Sequence, residues 1–123
     1  MAYSFRITEE YCALAVELEQ AGYVWQPRAG DWLLDRDDSS VGMLTLPISD
    51  QAAVRRLNYH LPTYVQVNEM LERLKVELAS ACGAIVARLK GREIARFDEA
   101  QFRAEEALCR LKALVAAFRA GPA

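Results

Sequence analysis

The chain has 123 residues, 53% of them hydrophobic and 26% charged, which is the composition of one folded domain with one core. Its net charge of −2 excludes a general attraction to nucleic acid or to anionic membranes, and no apolar run approaches the ~20 residues of a membrane span. The start, Met1–Arg6, lacks the pattern of a signal peptide, so we expect one cytoplasmic domain comprising residues 1–123.

Charge is divided unevenly along the chain. Residues 1–50 contain three basic and nine acidic residues, a net charge of −6, whereas residues 51–123 contain twelve and eight, a net charge of +4. The two halves could therefore pair within one molecule or between copies. Arginine outnumbers lysine twelve to three, a usage typical of GC-rich bacterial genomes.

A first helix is predicted after Thr8, whose side chain can cap it, and Gly22 ends it. The hydrophobic period then changes to that of strands. Three strands are predicted, at Tyr23–Gln26, Asp31–Asp35 and Val41–Leu46. The acidic loop 35–40 lacks the glycine and glutamate that a calcium-binding EF-hand loop requires, so we interpret it as a solvated turn.

Two helices are predicted in the middle of the chain. The first is capped by Ser49 and ends near His60. Thr63 and Gln66 have the spacing of a capping box at the start of the second, whose apolar residues continue at helical steps to Cys82.

Residues 83–96 are compatible with two structures. One continues the helix through Gly83 to Lys90, at a cost of ~1 kcal/mol for the internal glycine. The other makes Ile85–Leu89 and Arg92–Arg96 a hairpin around Lys90-Gly91. We favour the helix.

The clearest helical pattern is Phe97–Phe118. Asp98 is predicted to cap this helix, Phe97 and Phe102 to form a hydrophobic staple, and Gly121-Pro122 to end it. Its apolar face is wider than one surface helix needs, so we expect burial on more than one side, by the same domain or by a second copy. The residues proposed for such an interface are Leu108, Leu111, Leu114, Val115 and Phe118.

No catalytic, cofactor or metal site is predicted. His60 is the only histidine, and we expect it partly exposed at a helix end. Cys12, Cys82 and Cys109 lie far apart and are predicted to pack on apolar helical faces. Phosphate-binding loops and a nucleophile elbow are absent from the sequence. An enzyme would need an arrangement of His60, Asp31 or tyrosines that only the folded structure brings together.

The stretch Trp25–Trp32 contains two tryptophans, a proline and a turn within eight residues. It could form an aromatic ledge for a peptide or ligand. Trp25 and Trp32 could instead seal the small sheet against the helices, which is the interpretation we favour.

Basic residues concentrate in the second half of the chain. The candidate contacts to nucleic acid are Arg88, Lys90, Arg92 and Arg96. Acidic residues such as Glu93 are interleaved with them and dilute the positive field, so a solvated face is the favoured interpretation.

Trp25–Trp32 and Leu61–Leu71 together resemble a group of small uncharacterised bacterial and prophage-type proteins. In these proteins a W-x-P/G-D-W strand region precedes an L-P-x-x-x-Q-x-x-E-M-L helix start. The similarity covers about the middle third of the chain. It implies an α+β domain and no particular activity.

The sequence therefore predicts a mostly helical α+β domain with a small antiparallel sheet at about residues 23–46, packed on three or four helices. We expect a non-enzymatic protein–protein interaction domain, homodimeric through the C-terminal helix or binding an unidentified protein. The alternative is a weak nucleic-acid-binding accessory protein, of the kind a phage could encode, that uses the basic C-terminal half of the chain. No cofactor, metal or membrane is expected.

Overall fold

The computed structural model describes residues 7–45 and 49–121, which form five helices and six strands in an α+β arrangement. In chain order these are α1 (Glu9–Gln20), β1 (Trp32–Asp35), β2 (Val41–Met43), α2 (Gln51–Leu57), β3 (Asn58–Leu61), α3 (Tyr64–Arg73), β4 (Glu77–Ala81), β5 (Ala84–Leu89), β6 (Arg92–Asp98), α4 (Glu99–Ala104) and α5 (Glu106–Ala120). The predicted fold class is confirmed. Three predictions concern residues outside this range: the absence of a signal peptide at residues 1–6, the end of the third strand at Leu46, and the helix stop at Pro122. None of the described helices is long and apolar enough to cross a membrane.

The first sheet has the strand order β2-β1-β3 and is antiparallel throughout. The predicted hairpin of β1 and β2 is confirmed, but Tyr23–Gln26 forms no strand. The third strand is β3, where a helix end was predicted. Leu33 pairs with His60 across β1 and β3, so the histidine is carried into the sheet.

The second sheet has the order β4-β5-β6, and it shows that the helix favoured for residues 83–96 is wrong. The chain turns at Cys82-Gly83 and at Lys90-Gly91, and all four residues have positive φ. Two-residue turns of this kind match the right-handed twist of paired strands. The helix predicted to reach Cys82 is also too long, because α3 ends at Arg73.

Helix starts follow the predicted caps in two of four cases. Thr8 accepts from the Tyr11 N–H, and Thr63 with Gln66 forms a complete capping box. At α2 the cap is Asp50 rather than Ser49. At α4 the Asp98 side chain makes no capping bond, and the N–H of Glu99, the first helical residue, donates to the carbonyl of Gly83.

The apolar face of α5 closes inside this chain. Leu111 and Leu114 are fully buried, and α5 packs against α1, α3 and β6. The predicted single helix is divided at Glu105, although the staple pair Phe97 and Phe102 do meet, with ring centroids 5.9 Å apart. Of the two ways to bury this wide face, the structure therefore uses the same domain.

Charge pairing between the two halves also occurs within one molecule. Nζ of Lys112 lies 3.1 Å from a carboxylate oxygen of Glu10, and the Arg119 guanidinium lies 2.7 Å from one of Glu17. Two ion pairs therefore join α5 to α1. These pairs are largely exposed and contribute little stability. They do align the acidic first helix with the basic last one, as the uneven charge predicts.

Candidate functional site

The site begins with the capping box of α3. The Gln66 Oε1 atom accepts from the Thr63 N–H at 2.9 Å, and the Gln66 N–H donates back to the Thr63 hydroxyl at 3.2 Å. With its oxygen fixed by the helix start, the Gln66 amide presents its nitrogen to Asp31, and Nε2 donates to Oδ1 at 2.9 Å. One side chain thus joins a helix cap to a buried carboxylate.

Asp31 is buried, with only 7% of its surface exposed, and the loop before β1 folds around its carboxylate. Oδ2 accepts from the Trp25 indole at 2.9 Å and from the Arg28 N–H at 3.0 Å. Burial alone would raise the pKa of Asp31, but the hydrogen bonds from Trp25, Arg28 and Gln66 outweigh it and hold the pKa below its usual value. Asp31 is therefore a charged group whose two oxygens are already occupied.

His60 lies beside this carboxylate on β3 and is likewise only 7% exposed, so the expected exposed position at a helix end is wrong. Its ring stacks on Trp25 with centroids 5.0 Å apart and planes 2° from parallel. Nδ1 lies 2.8 Å from the Tyr23 hydroxyl. Nε2 is buried and has no hydrogen-bond partner among residues 7–45 and 49–121. An unmet buried group of this kind requires an explanation.

Burial also determines the charge of His60. It lowers the pKa of the imidazole from 6.5 to about 4, although the nearby charge of Asp31 and the amide of Gln66 favour the charged form. Burial likewise raises the pKa of Tyr23 to about 12. At neutral pH the site therefore holds a neutral imidazole, a protonated phenol and an ionised carboxylate.

An open cleft of about 240 Å³ borders these groups. Its walls are the loop Tyr23–Asp31, His60 on β3, and Gln66–Arg73 on α3. Loop, sheet and helix therefore each contribute one side. Concave sites with a few convergent polar groups are where small ligands bind.

Acid–base catalysis is poorly served by this arrangement. A catalytic base works best with a pKa near the working pH, whereas the pKa values of His60 and Tyr23 lie far below and far above 7. Within the described residues, no group of three His, Cys, Asp or Glu side chains could hold a metal ion. The arrangement suits holding a ligand better than transferring a proton.

Most of the residues predicted to contact a protein partner are buried within this chain. Trp25 is buried in the wall of the cleft, and Trp32 is half-buried against the core, so no exposed aromatic ledge forms. Leu108, Leu111, Leu114 and Val115 are buried within the one chain, and Phe118 is half-buried with its ring edge against Tyr23. This face is not available to a second copy. Homodimerisation itself stays a prediction, and these buried residues give it no exposed apolar face.

The basic residues proposed for nucleic acid lie on the second sheet and are exposed: Arg88, Lys90, Arg92 and Arg96. Arg88 is paired across the strands with Glu77 on one side and Glu93 on the other. Arg96 forms an ion pair with Glu93 at 2.7 Å. The exposure of these residues fits both a solvated face and contact with nucleic acid, so both interpretations stay predictions.

The cysteines follow the prediction in part. Cys109 is buried in the core, and Cys12 is partly buried and packs against the core. Cys82 is different, because it lies exposed in the turn between β4 and β5 rather than on a helical face. The acidic loop is a turn as predicted, since Asp35 Oδ1 accepts from the N–H groups of Asp37 and Asp38.

The site was missed because its members are distant in sequence. A signal was present, however: Trp25 and Asp31 belong to one of the two stretches that carry the family resemblance, and Gln66 belongs to the other. The structure joins these stretches by hydrogen bonds. The resemblance itself stays a prediction.

Comparison with protein-family models, with curated proteins and with solved structures finds no match to this chain. The geometry of the cleft is therefore the guide to function.

Acid should destabilise the protein through His60. Because the folded pKa is about 4 and the unfolded value 6.5, this group's contribution is fully present above pH 6.5 and is lost as the pH falls toward 4. We expect the free energy of unfolding, measured with urea, to fall by ~3 kcal/mol from this group across that window. His60→Asn, which cannot titrate, should remove most of this decline. Equal pH dependence of the two proteins would contradict the buried position of His60.

Proposed function

We propose that this chain is a non-enzymatic binding protein whose cleft between the loop 23–31, β3 and α3 holds a small polar ligand. The observation that carries the proposal is the buried Nε2 of His60, which makes no hydrogen bond of normal geometry with the described residues, although the Gln66 side chain is near enough to favour the charged ring. A buried polar atom without a partner costs ~1–3 kcal/mol. A ligand atom that hydrogen-bonds to Nε2 recovers that cost, which adds to whatever other contacts the ligand makes in the cleft.

The rigidity of the cleft wall supports the same proposal. Trp25 is held by its stack on His60 and by its bond to Asp31. Asp31 is held in turn by Gln66, and Gln66 by the start of α3. Because these side chains are already fixed, a ligand loses little free energy to ordering them.

The proposal moves the contact surface from the C-terminal helix to the cleft, since the apolar face of α5 is buried in its own chain. It keeps the expectation of a non-enzymatic binding domain. The bacterial origin, the cytoplasmic location and the homodimer are kept as predictions on which none of the contacts above depends.

The two tryptophans provide an internal test by ¹⁵N NMR. A library of small polar compounds is added to the labelled protein, and the two indole N–H signals are followed. Compounds that bind in the cleft should shift the signal of Trp25, which lines it, and leave that of Trp32 in place. Compounds that shift many surface signals but never that of Trp25 would contradict the proposal.

Two variants locate the binding further. His60→Asn removes the open Nε2 and should weaken binding roughly tenfold, since a hydrogen bond of this kind is worth about 1 kcal/mol or more. Arg56→Gln is the matched control, because Arg56 lines a separate hollow behind Trp25, beside Arg36 and Arg55. Arg56→Gln should leave the affinity unchanged. If it weakened binding instead, the ligand would lie in the hollow lined by Arg56 and not in the cleft.

A further inference from the structure

Among the polar groups that face the cleft, a ring nitrogen of His60 and two guanidinium groups are hydrogen-bond donors that have no acceptor of normal geometry in the described residues. The Tyr23 hydroxyl and Nδ1 of His60 lie 2.8 Å apart and form one hydrogen bond. If the Tyr23 hydroxyl donates, Nε2 carries the ring proton and is the single unmet group; if Nδ1 donates, both the Tyr23 proton and Nε2 are left unmet. The first assignment satisfies more groups, so we assign a donor N–H to Nε2.

Arg28 and Arg73 face the same cleft from opposite walls, Arg28 from the loop and Arg73 from the end of α3. Neither guanidinium forms an ion pair with any residue in 7–45 or 49–121. Guanidinium groups without a partner are the preferred protein ligands of carboxylate and phosphate.

The two carboxylates that line the cleft differ from these donors, because one is already hydrogen-bonded and the other is exposed at the rim. Both oxygens of Asp31 are occupied by the donors already described, from Trp25, Arg28 and Gln66. Glu69 faces the cleft one helical turn before Arg73 and is exposed. It is therefore the one acid at the rim, among the described residues lining the cleft, that can compete with a ligand for Arg73.

We propose that the ligand of the cleft is a small anion, with a carboxylate or phosphate group held between Arg28 and Arg73 and a further oxygen accepting from Nε2 of His60. This inference rests on the proposed function, because it names the chemistry of the ligand for the same cleft. Arg28 is suited to two tasks at once, since its backbone N–H fixes Asp31 while its side chain reaches the ligand.

The test uses three probes and the Trp25 indole signal. Sodium acetate and inorganic phosphate are the two anions, and acetamide is a neutral molecule with the shape of acetate. Acetate or phosphate should shift the Trp25 signal at concentrations where acetamide does not, and the tighter of the two identifies the anionic group. Added neutral salt should weaken the binding.

Three variants connect the effect to the named side chains. Arg28→Gln and Arg73→Gln should each weaken anion binding roughly tenfold, the usual loss when a charge-assisted pair is removed. Glu69→Gln removes the competing acid and should strengthen it. Arg56→Gln, outside the cleft, is the matched control and should change nothing.

The outcomes separate this inference from the proposed function. Acetamide binding as tightly as acetate, or anions that bind equally well to the two arginine variants, would overturn the anion inference. If neutral library compounds still shifted the Trp25 signal, the cleft would remain a binding site. If neither the anions nor any library compound shifted it, both the inference and the proposed function would be wrong.

Discussion

Leu111→Asp should leave no folded protein. Leu111 is fully buried in the core where α5 packs against α1, α3 and β6. Removing a buried leucine side chain costs about 2–5 kcal/mol, and burying an unpaired carboxylate costs several more. The sum lies within the about 5–15 kcal/mol by which a domain is typically stable, so it is large enough to unfold one of ordinary stability.

Circular dichroism and light scattering distinguish this outcome from the behaviour of a surface contact. A leucine that bound a second copy would give a folded monomer when changed to aspartate, whereas we expect loss of the cooperative unfolding transition. Ala116→Asp is the matched control on the same helix, because Ala116 lies in a shallow surface groove between Lys112 and Arg119. It should remain folded. A folded, monomeric Leu111→Asp would contradict the closed core and restore the dimer interface.

Asp31→Ala should cost about 3–5 kcal/mol of unfolding free energy. The change leaves three donors without their acceptor, namely the Trp25 indole, the Arg28 N–H and the Gln66 amide. Each buried donor left unmet costs about 1–3 kcal/mol, and water entering from the cleft will satisfy part of that demand. The loss is larger than for an ordinary surface acid because one carboxylate joins the loop to α3.

Urea unfolding at pH 7 measures the loss, and Asp50→Ala provides the control. Asp50 is exposed and accepts one N–H as the cap of α2, so its removal should cost only about 1 kcal/mol. Trp25 fluorescence should change in Asp31→Ala and not in Asp50→Ala. A difference of less than about 1 kcal/mol between the two variants would show that Asp31 does not organise the loop.

Local signals predicted the local structure well. The Thr63–Gln66 spacing predicted a capping box that is present, and the polar segment 36–40 predicted the hairpin of β1 and β2. Both depend on contacts between residues close in sequence, whose geometry the residue types largely determine.

The prediction that the helix continues beyond residue 73, to Lys90, is wrong for a different reason. Leu74, Leu78 and Cys82 recur every four residues, which fits one face of a helix. Four is also an even number, so the same spacing fits one face of a strand, and periodicity alone does not separate them. Lys75 at φ 62° ends the helix without the glycine that usually marks such a position, so the stop was not visible.

The candidate site could not be assembled from the sequence. Its charged and aromatic members were noticed separately, but His60 was assigned to a helix end. Only the antiparallel register of β1 and β3, which sets Leu33 opposite His60, brings the imidazole to the loop that ends at Asp31. The site thus depends on long-range strand pairing, and the capping box that positions Gln66 is the one part of it that a short-range pattern predicted.

The central claim is that Asp31 and His60 belong to one buried site in which Nε2 of His60 makes no hydrogen bond of normal geometry with the described residues. The most direct test is an NMR titration of the His60 imidazole nitrogens, which reports the ring's tautomer and its pKa together. We expect a neutral ring with its proton on Nε2 at pH 7, and a midpoint near the value of about 4 that burial imposes. A midpoint near the ordinary 6.5, with rapid exchange between tautomers, would place His60 in solvent and contradict the claim.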